Sequence, residues 1–133
     1  MKKNYLTKQQ ISEFCQGLGN DIYEDYPFDE NWMAMRHDDK GHHVMAFCYE
    51  YYEGEVWVNV KCDYDYMEYW LKKYPENVKP AYHMSKRHWL TLVLDGKMAN
   101  EDVETLLKNS YVLTKWPPIR SSVLLWRRHK RQG

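Results

Sequence analysis

The chain has 133 residues and a mass of 16.3 kDa, and its 19 basic and 19 acidic side chains give a formal net charge of zero. That length predicts one domain, and the charge balance excludes both a uniformly basic nucleic-acid coat protein and an acidic disordered tail protein. Aromatic residues make up 16%, enough bulk for a core at this size, while no uninterrupted apolar run, Val123–Trp126 included, is long enough to cross a membrane.

Thr7-Lys8-Gln9-Gln10 fits a capping box and opens a helix whose apolar stripe is Ile11, Phe14, Cys15 and Leu18, with Gly19 expected to end it in the left-handed conformation. Ile22–Tyr26 reads as a short strand before Pro27. Trp32–Arg36 and His42–Tyr52 read as strands around a turn of composition His37-Asp38-Asp39-Lys40-Gly41, and Glu53-Gly54 makes a second tight turn. Val56, Val58, Val60 and Cys62 alternate with Trp57, Asn59 and Lys61, the period of a strand with one buried face. These strands predict an antiparallel meander.

Asp63 is a good N-cap for a second helix with Met67, Trp70, Leu71 and Tyr74 on its apolar side, and Pro75 stops the pattern. Residues 75–87 read as a loop. His88–Leu94 alternates again as a strand, with Trp89, Thr91 and Val93 on one face. Asn100 is the expected cap of a third helix that places Glu101 and Asp102 at its positive end and Val103, Leu106, Leu107 and Tyr111 on its apolar side. This order of elements predicts an α+β fold with helices over one face of an antiparallel sheet. The opposite face is left more open, and Trp57 or Trp89 on it would need a reason to be there.

The cysteines, Cys15, Cys48 and Cys62, are odd in number and match no zinc spacing. They read as small buried apolar groups in a reducing, cytoplasmic setting, and the polar start Asn4–Gln10 lacks the apolar stretch of a signal peptide. Net charge zero hides an asymmetry: residues 1–20 sum to +2, 21–68 to −10 and 69–133 to +8. Such a field steers an anionic partner to one side unless folding interleaves the sections and cancels them.

The run Lys79-Pro80-Ala81-Tyr82-His83-Met84-Ser85-Lys86-Arg87-His88-Trp89 is the most specific stretch of the chain. With Val60-Lys61-Cys62-Asp63, Leu94-Asp95-Gly96, Phe14-Cys15, Glu24-Asp25-Tyr26-Pro27-Phe28 and Ser110-Tyr111, it resembles the MmcQ/YjbR family over about residues 11–114. The resemblance implies a CyaY-like (frataxin-like) α+β fold for a single domain over residues 1–116, followed by a basic C-terminal extension over 117–133. It also implies DNA binding, with hairpin wings contacting the duplex. Frataxins bind iron along an acidic first helix, but the first helix here carries only Glu13 among its acids.

Three clusters are candidates for a site. Lys86-Arg87-His88, joined by Lys61, supplies cations for phosphate, with Tyr82 or Trp89 to stack on a base or pack against a sugar and His83 in the same contact loop. Arg127, Arg128, Lys130 and Arg131 in the tail could hold a phosphate backbone or remain solvated. His37-Asp38-Asp39-Lys40-Gly41-His42-His43 is rich in metal donors but meets no ligand spacing. Asp63-Tyr64-Asp65 starts like a calcium loop but lacks the sixth-position Gly and twelfth-position Glu. No phosphate loop, nucleophile elbow or zincin motif is present, so neither catalysis nor a cofactor is expected. The expected partner is DNA, held by phosphate contacts of low sequence specificity. The alternative is a small-ligand or protein-interaction module that uses the open aromatic sheet face. No membrane partner is expected.

Overall fold

The computed structural model describes residues 4–51, 54–81 and 84–117. Nine elements follow in chain order: α1 (Lys8–Gln16), β1 (Ile22–Asp25), β2 (Trp32–His37), β3 (Val44–Tyr51), β4 (Glu55–Lys61), α2 (Tyr64–Lys73), β5 (Val78–Pro80), β6 (Trp89–Leu94) and α3 (Asn100–Thr114). The strands form one antiparallel sheet of order β1-β2-β3-β4-β6-β5. The α+β reading with a meander at its centre therefore holds.

Each helix begins for a local reason. The Thr7 side chain accepts from the Gln10 N–H while the Gln10 side chain answers the Thr7 N–H, so α1 starts at a complete capping box. Asp63 accepts from the Asp65 N–H at the start of α2. For α3 the cap is Ala99, not Asn100, and no side chain closes it. The Ala99 N–H donates to the Tyr74 hydroxyl at 3.1 Å, so a residue at the end of α2 anchors the start of α3. At the end of α1 the cap is Gly17 in the right-handed conformation. Gly19 has another use: a Cβ there would collide with the Tyr111 hydroxyl and an Asp21 carboxylate oxygen. Gly54, at φ +82, makes the β3–β4 turn that other residues rarely adopt.

One face of the sheet carries the main core. Met33, Met35, Cys48, Val58, Val60, Leu90 and Leu92 meet Ile11 and Cys15 of α1 and Val103, Leu106 and Leu107 of α3 there. Burial pushes the Cys15 and Cys62 thiols up to about 12, and it pushes the Cys48 thiol higher still. All three cysteines are free and buried, as the sequence predicts.

Two further expectations are corrected. The stretch read as a loop contains β5, a short edge strand that pairs Val78 with Leu92 and Lys79 with Thr91. Pro80 is tolerated because it lies at the sheet edge. The other correction concerns β4, where the alternation predicted one buried face but Val56 through Val60 are all buried. Trp57, Asn59 and Thr91 are covered because the second face has an aromatic layer of its own.

Candidate functional site

The register sets out that second face row by row. Trp32, Tyr49, Trp57 and Val93 stand side by side across β2, β3, β4 and β6. The next row is Asp25, Ala34, Phe47, Asn59, Thr91 and Lys79, from edge to edge of the sheet. Beyond it, Lys61 pairs with Trp89. The aromatic row packs as a layer: Trp32 stacks on Tyr49 with ring centroids 4.0 Å apart, and its edge meets Phe28 at 5.9 Å and Phe47 at 6.3 Å.

Beneath these rings lies a polar floor. The Thr91 hydroxyl donates to Asn59 Oδ1 at 2.7 Å and the Tyr49 hydroxyl donates to the same oxygen at 3.3 Å. All three residues are fully buried. Two donors on one amide oxygen fix the orientation of the Asn59 side chain. A cleft of about 390 Å³ lies on this face, lined by Phe28, Trp32, Phe47, Asn59 and Met84. Its size falls in the range of small-molecule sites, and its lining is mostly apolar.

Cations gather at one end of the same face. The 84–88 loop is held to the end of β4 by a bond from the Cys62 N–H to the His88 carbonyl at 2.8 Å. Lys86, Arg87 and His88 are exposed there, beside Lys61. The Arg87 guanidinium lies over the Tyr64 ring at 5.0 Å, and the Lys79 ammonium over the Trp57 ring at 5.0 Å. Among the described residues no carboxylate forms an ion pair with Lys61, Lys79, Lys86 or Arg87.

The lysines elsewhere contrast with these. Lys8 pairs with Glu50, Lys72 with Glu68, Lys73 with Asp102, Lys97 with Glu76, and Lys115 with Asp21. Several acidic and basic residues thus neutralise one another in pairs, and Lys61, Lys79, Lys86 and Arg87 remain without such a partner at the β4–β6–β5 end of the open face. Lys40 and Lys108 are also without a carboxylate partner among the described residues, but they stand apart, in the β2–β3 turn and on α3. The sequence had singled out Lys61, Lys86, Arg87 and His88, and the fold brings them together. Lys79, Phe28, Trp32, Phe47, Asn59 and Met84 were not singled out. Tyr82, His83, Arg127, Arg128, Lys130 and Arg131 lie outside the described residues.

The imidazoles of the 37–43 segment take separate partners. His42 meets the Tyr23 hydroxyl at 2.9 Å and His43 meets Asp39 at 3.1 Å. His37 is fully buried, with Nδ1 2.8 Å from Asp21 Oδ2 and Nε2 2.8 Å from Thr114 Oγ1. A carboxylate, an imidazole and a hydroxyl in line resemble a nucleophile relay, but His37 has no access to solvent. The Thr114 hydroxyl also donates to the Ser110 carbonyl at 2.7 Å, within its own helix. The arrangement ties the end of α3 to β1 and β2. Burial works against a charged Asp21, but hydrogen bonds from His37, Lys115 and Tyr111 hold its carboxyl well below the usual range. Among the described residues no three His, Cys, Asp or Glu side chains are grouped to hold a metal ion, and no helix is long and apolar enough to cross a membrane.

Comparisons with known proteins agree with this architecture. An uncharacterized protein, YyaQ, of Bacillus subtilis (strain 168) is 40% identical over 40 residues, which cover 30% of this chain and 34% of that relative. The crystal structure of a Deinococcus radiodurans protein with a DUF419 domain superposes with a TM-score of 0.73 at 26% identity, over 81% of this chain and 78% of that one. A Pseudomonas syringae protein of known crystal structure shares the fold at 22% identity, with a TM-score of 0.71 over 82% of this chain and 99% of that one. The YjbR family matches residues 20–113, most of the chain, and the protein therefore belongs to the YjbR family.

Proposed function

We propose that this protein binds nucleic acid, DNA in the first instance, through phosphate contacts made by Lys61, Lys79, Lys86 and Arg87. The observation that carries this reading is the gathering of these cations, none paired with a carboxylate among the described residues, at one end of an aromatic sheet face. Arg87 brings a planar fork suited to an oxyanion, and the lysines bring point charges. The contacts position a backbone without reading base identity, so the affinity is modest and falls with salt. Arg127, Arg128, Lys130 and Arg131 would extend the same contacts, and Tyr82 and His83 would flank them. The hairpin turns contribute less than the loop, because Asp38 and Asp39 stand in one and Glu55 borders the other. No catalytic step is part of this reading.

The test is fluorescence anisotropy of a labelled oligonucleotide at low salt, comparing the intact protein with Lys86→Ala/Arg87→Ala and with Lys72→Ala. Lys72 is already paired with Glu68, so its loss leaves binding unchanged. Loss of the loop cations weakens binding about tenfold or more. Equal affinity in all three proteins rejects the reading.

The cleft supports a second reading, a small-ligand module without catalysis. Its support is the 390 Å³ volume with an apolar lining around Asn59. Quenching of Trp fluorescence by small aromatic compounds, lost in Trp32→Ala, is its measurement.

A further inference from the structure

We infer that the cleft on the open sheet face receives an unstacked base, so that the nucleic acid held by the cations is single-stranded. This inference rests on the nucleic-acid reading above.

The cleft is roomy enough for a base, and its lining suits one. Its 390 Å³ would hold on the order of a dozen waters, which is ligand-sized and not a packing void. The Trp32 and Phe47 rings offer π surface on the sheet side, and Phe28 and Met84 line the cleft from two different connections. A flat, polarisable ring fits between such walls, and every base has one. The floor departs from a simple apolar groove. Asn59, Thr91 and Tyr49 bury a hydrogen-bonded amide and two hydroxyls on the outer face of a sheet, where apolar residues would cost less. Of the three only Asn59 borders the cleft, one polar group among apolar walls, which matches a heteroaromatic ring with a polar edge.

Spacing links the cleft to the cations. Lys61 lies two residues from Asn59 along β4, about 7 Å at the rise of a strand. Lys79 lies two strands away in the same row, about 10 Å. A base seated over Asn59 thus has its own or its neighbour's phosphate within reach of Lys61, Lys79 and the 84–88 loop. Asp29 and Glu30 follow Phe28 on the opposite side, where Asp25 is already paired with Arg36 at 2.7 Å, while Lys61, Lys79 and the 84–88 loop lie toward the β5–β6 edge, so the backbone is turned that way. Bases in a duplex are paired and stacked, and they cannot enter a recess lined by Phe28 and Met84 without leaving the helix.

The test uses a labelled single strand of about 12 nucleotides, its duplex, and the same strand with abasic sites that keep the phosphates. The intact protein should bind the single strand more tightly than the duplex, and the abasic strand about fivefold more weakly or worse. Phe28→Ala, at a side chain 72% exposed and thus harmless to folding, should weaken the single strand and leave the abasic strand unchanged. Phe47→Ala should do the same more strongly. If the duplex binds as well as the single strand, and neither the abasic sites nor Phe28→Ala matters while Lys86→Ala/Arg87→Ala still does, the phosphate reading survives and the base cleft is refuted. If no oligonucleotide binds at low salt, both fall.

Discussion

Ser110→Ala is the substitution whose cost follows most directly from the geometry. The β3–β4 ladder runs regularly as far as the pair Ala46 and Val60, and the next residues, Met45 and Lys61, are no longer paired as a ladder. The Ser110 hydroxyl of α3 fills that gap: it accepts from the Lys61 N–H at 2.8 Å and donates to the Met45 carbonyl. Ser110 and Met45 are fully buried. Alanine removes the bridge and leaves a backbone donor and a backbone acceptor unanswered at that point. Each such group costs about 1–3 kcal/mol, so a loss of roughly 2–4 kcal/mol is expected. At this chain length that lowers the melting temperature by roughly 8–15 °C. Urea denaturation at neutral pH is the assay, read as a fall in midpoint at constant slope. Thr105→Ala is the control: its hydroxyl bonds the Glu101 carbonyl on the outside of the same helix, and its loss should stay within about 0.5 kcal/mol. A Ser110→Ala cost no larger than the control refutes the bridging argument. Because the hydroxyl holds the backbone of Lys61, the same variant should also weaken oligonucleotide binding.

Other outcomes follow from the same structure. Asp21→Asn should cost roughly 1–3 kcal/mol at neutral pH, since three donors converge on that carboxylate. The folded carboxyl titrates below its unfolded value, so its stabilisation is present above about pH 4 and is lost as pH falls through the folded value. The gap between the two proteins in urea melts should therefore close in acid, and a gap that widens there contradicts the assignment. Gly19→Ala should destabilise by about 1–3 kcal/mol because Tyr111 and Asp21 occupy the space of the methyl group, and a neutral result would show that they move aside freely. Cys15, Cys48 and Cys62 should resist a thiol reagent at pH 8 until the chain unfolds, and rapid labelling of the folded protein would show that the thiols are reachable.

What could be read from the chain divides by the range of the interactions. Thr7 with Gln10, and Asp63 with Asp65, act within a turn, so the starts of α1 and α2 were legible. The start of α3 was not, because Tyr74 anchors the Ala99 N–H from the end of α2. β5 was hidden for the same reason: three residues ending in Pro80 carry no period, and only pairing with β6 makes them a strand. The alternation in β4 marks Val56, Val58 and Val60 as core positions, and they are buried. Burial of Trp57 and Asn59 depends on Phe47 in the neighbouring strand and Trp32 two strands over, which no local pattern announces. The composition of the 84–88 loop and the odd presence of Trp57 pointed to the open face. The convergence of Lys61 and Lys79 with that loop comes from the β4–β6–β5 order, a property of the sheet alone.

The most direct test of the account is the salt dependence of single-strand binding, measured for the intact protein and for Lys61→Ala/Lys79→Ala/Lys86→Ala/Arg87→Ala. Four phosphate contacts predict that these side chains contribute a slope of about −3 in log K against log salt, a roughly 50-fold loss between about 50 and 200 mM. The variant should lose most of that slope. An unchanged slope in the variant, or an intact protein that does not bind even at the lowest salt, would contradict the claim that this patch is where the protein meets its anionic partner.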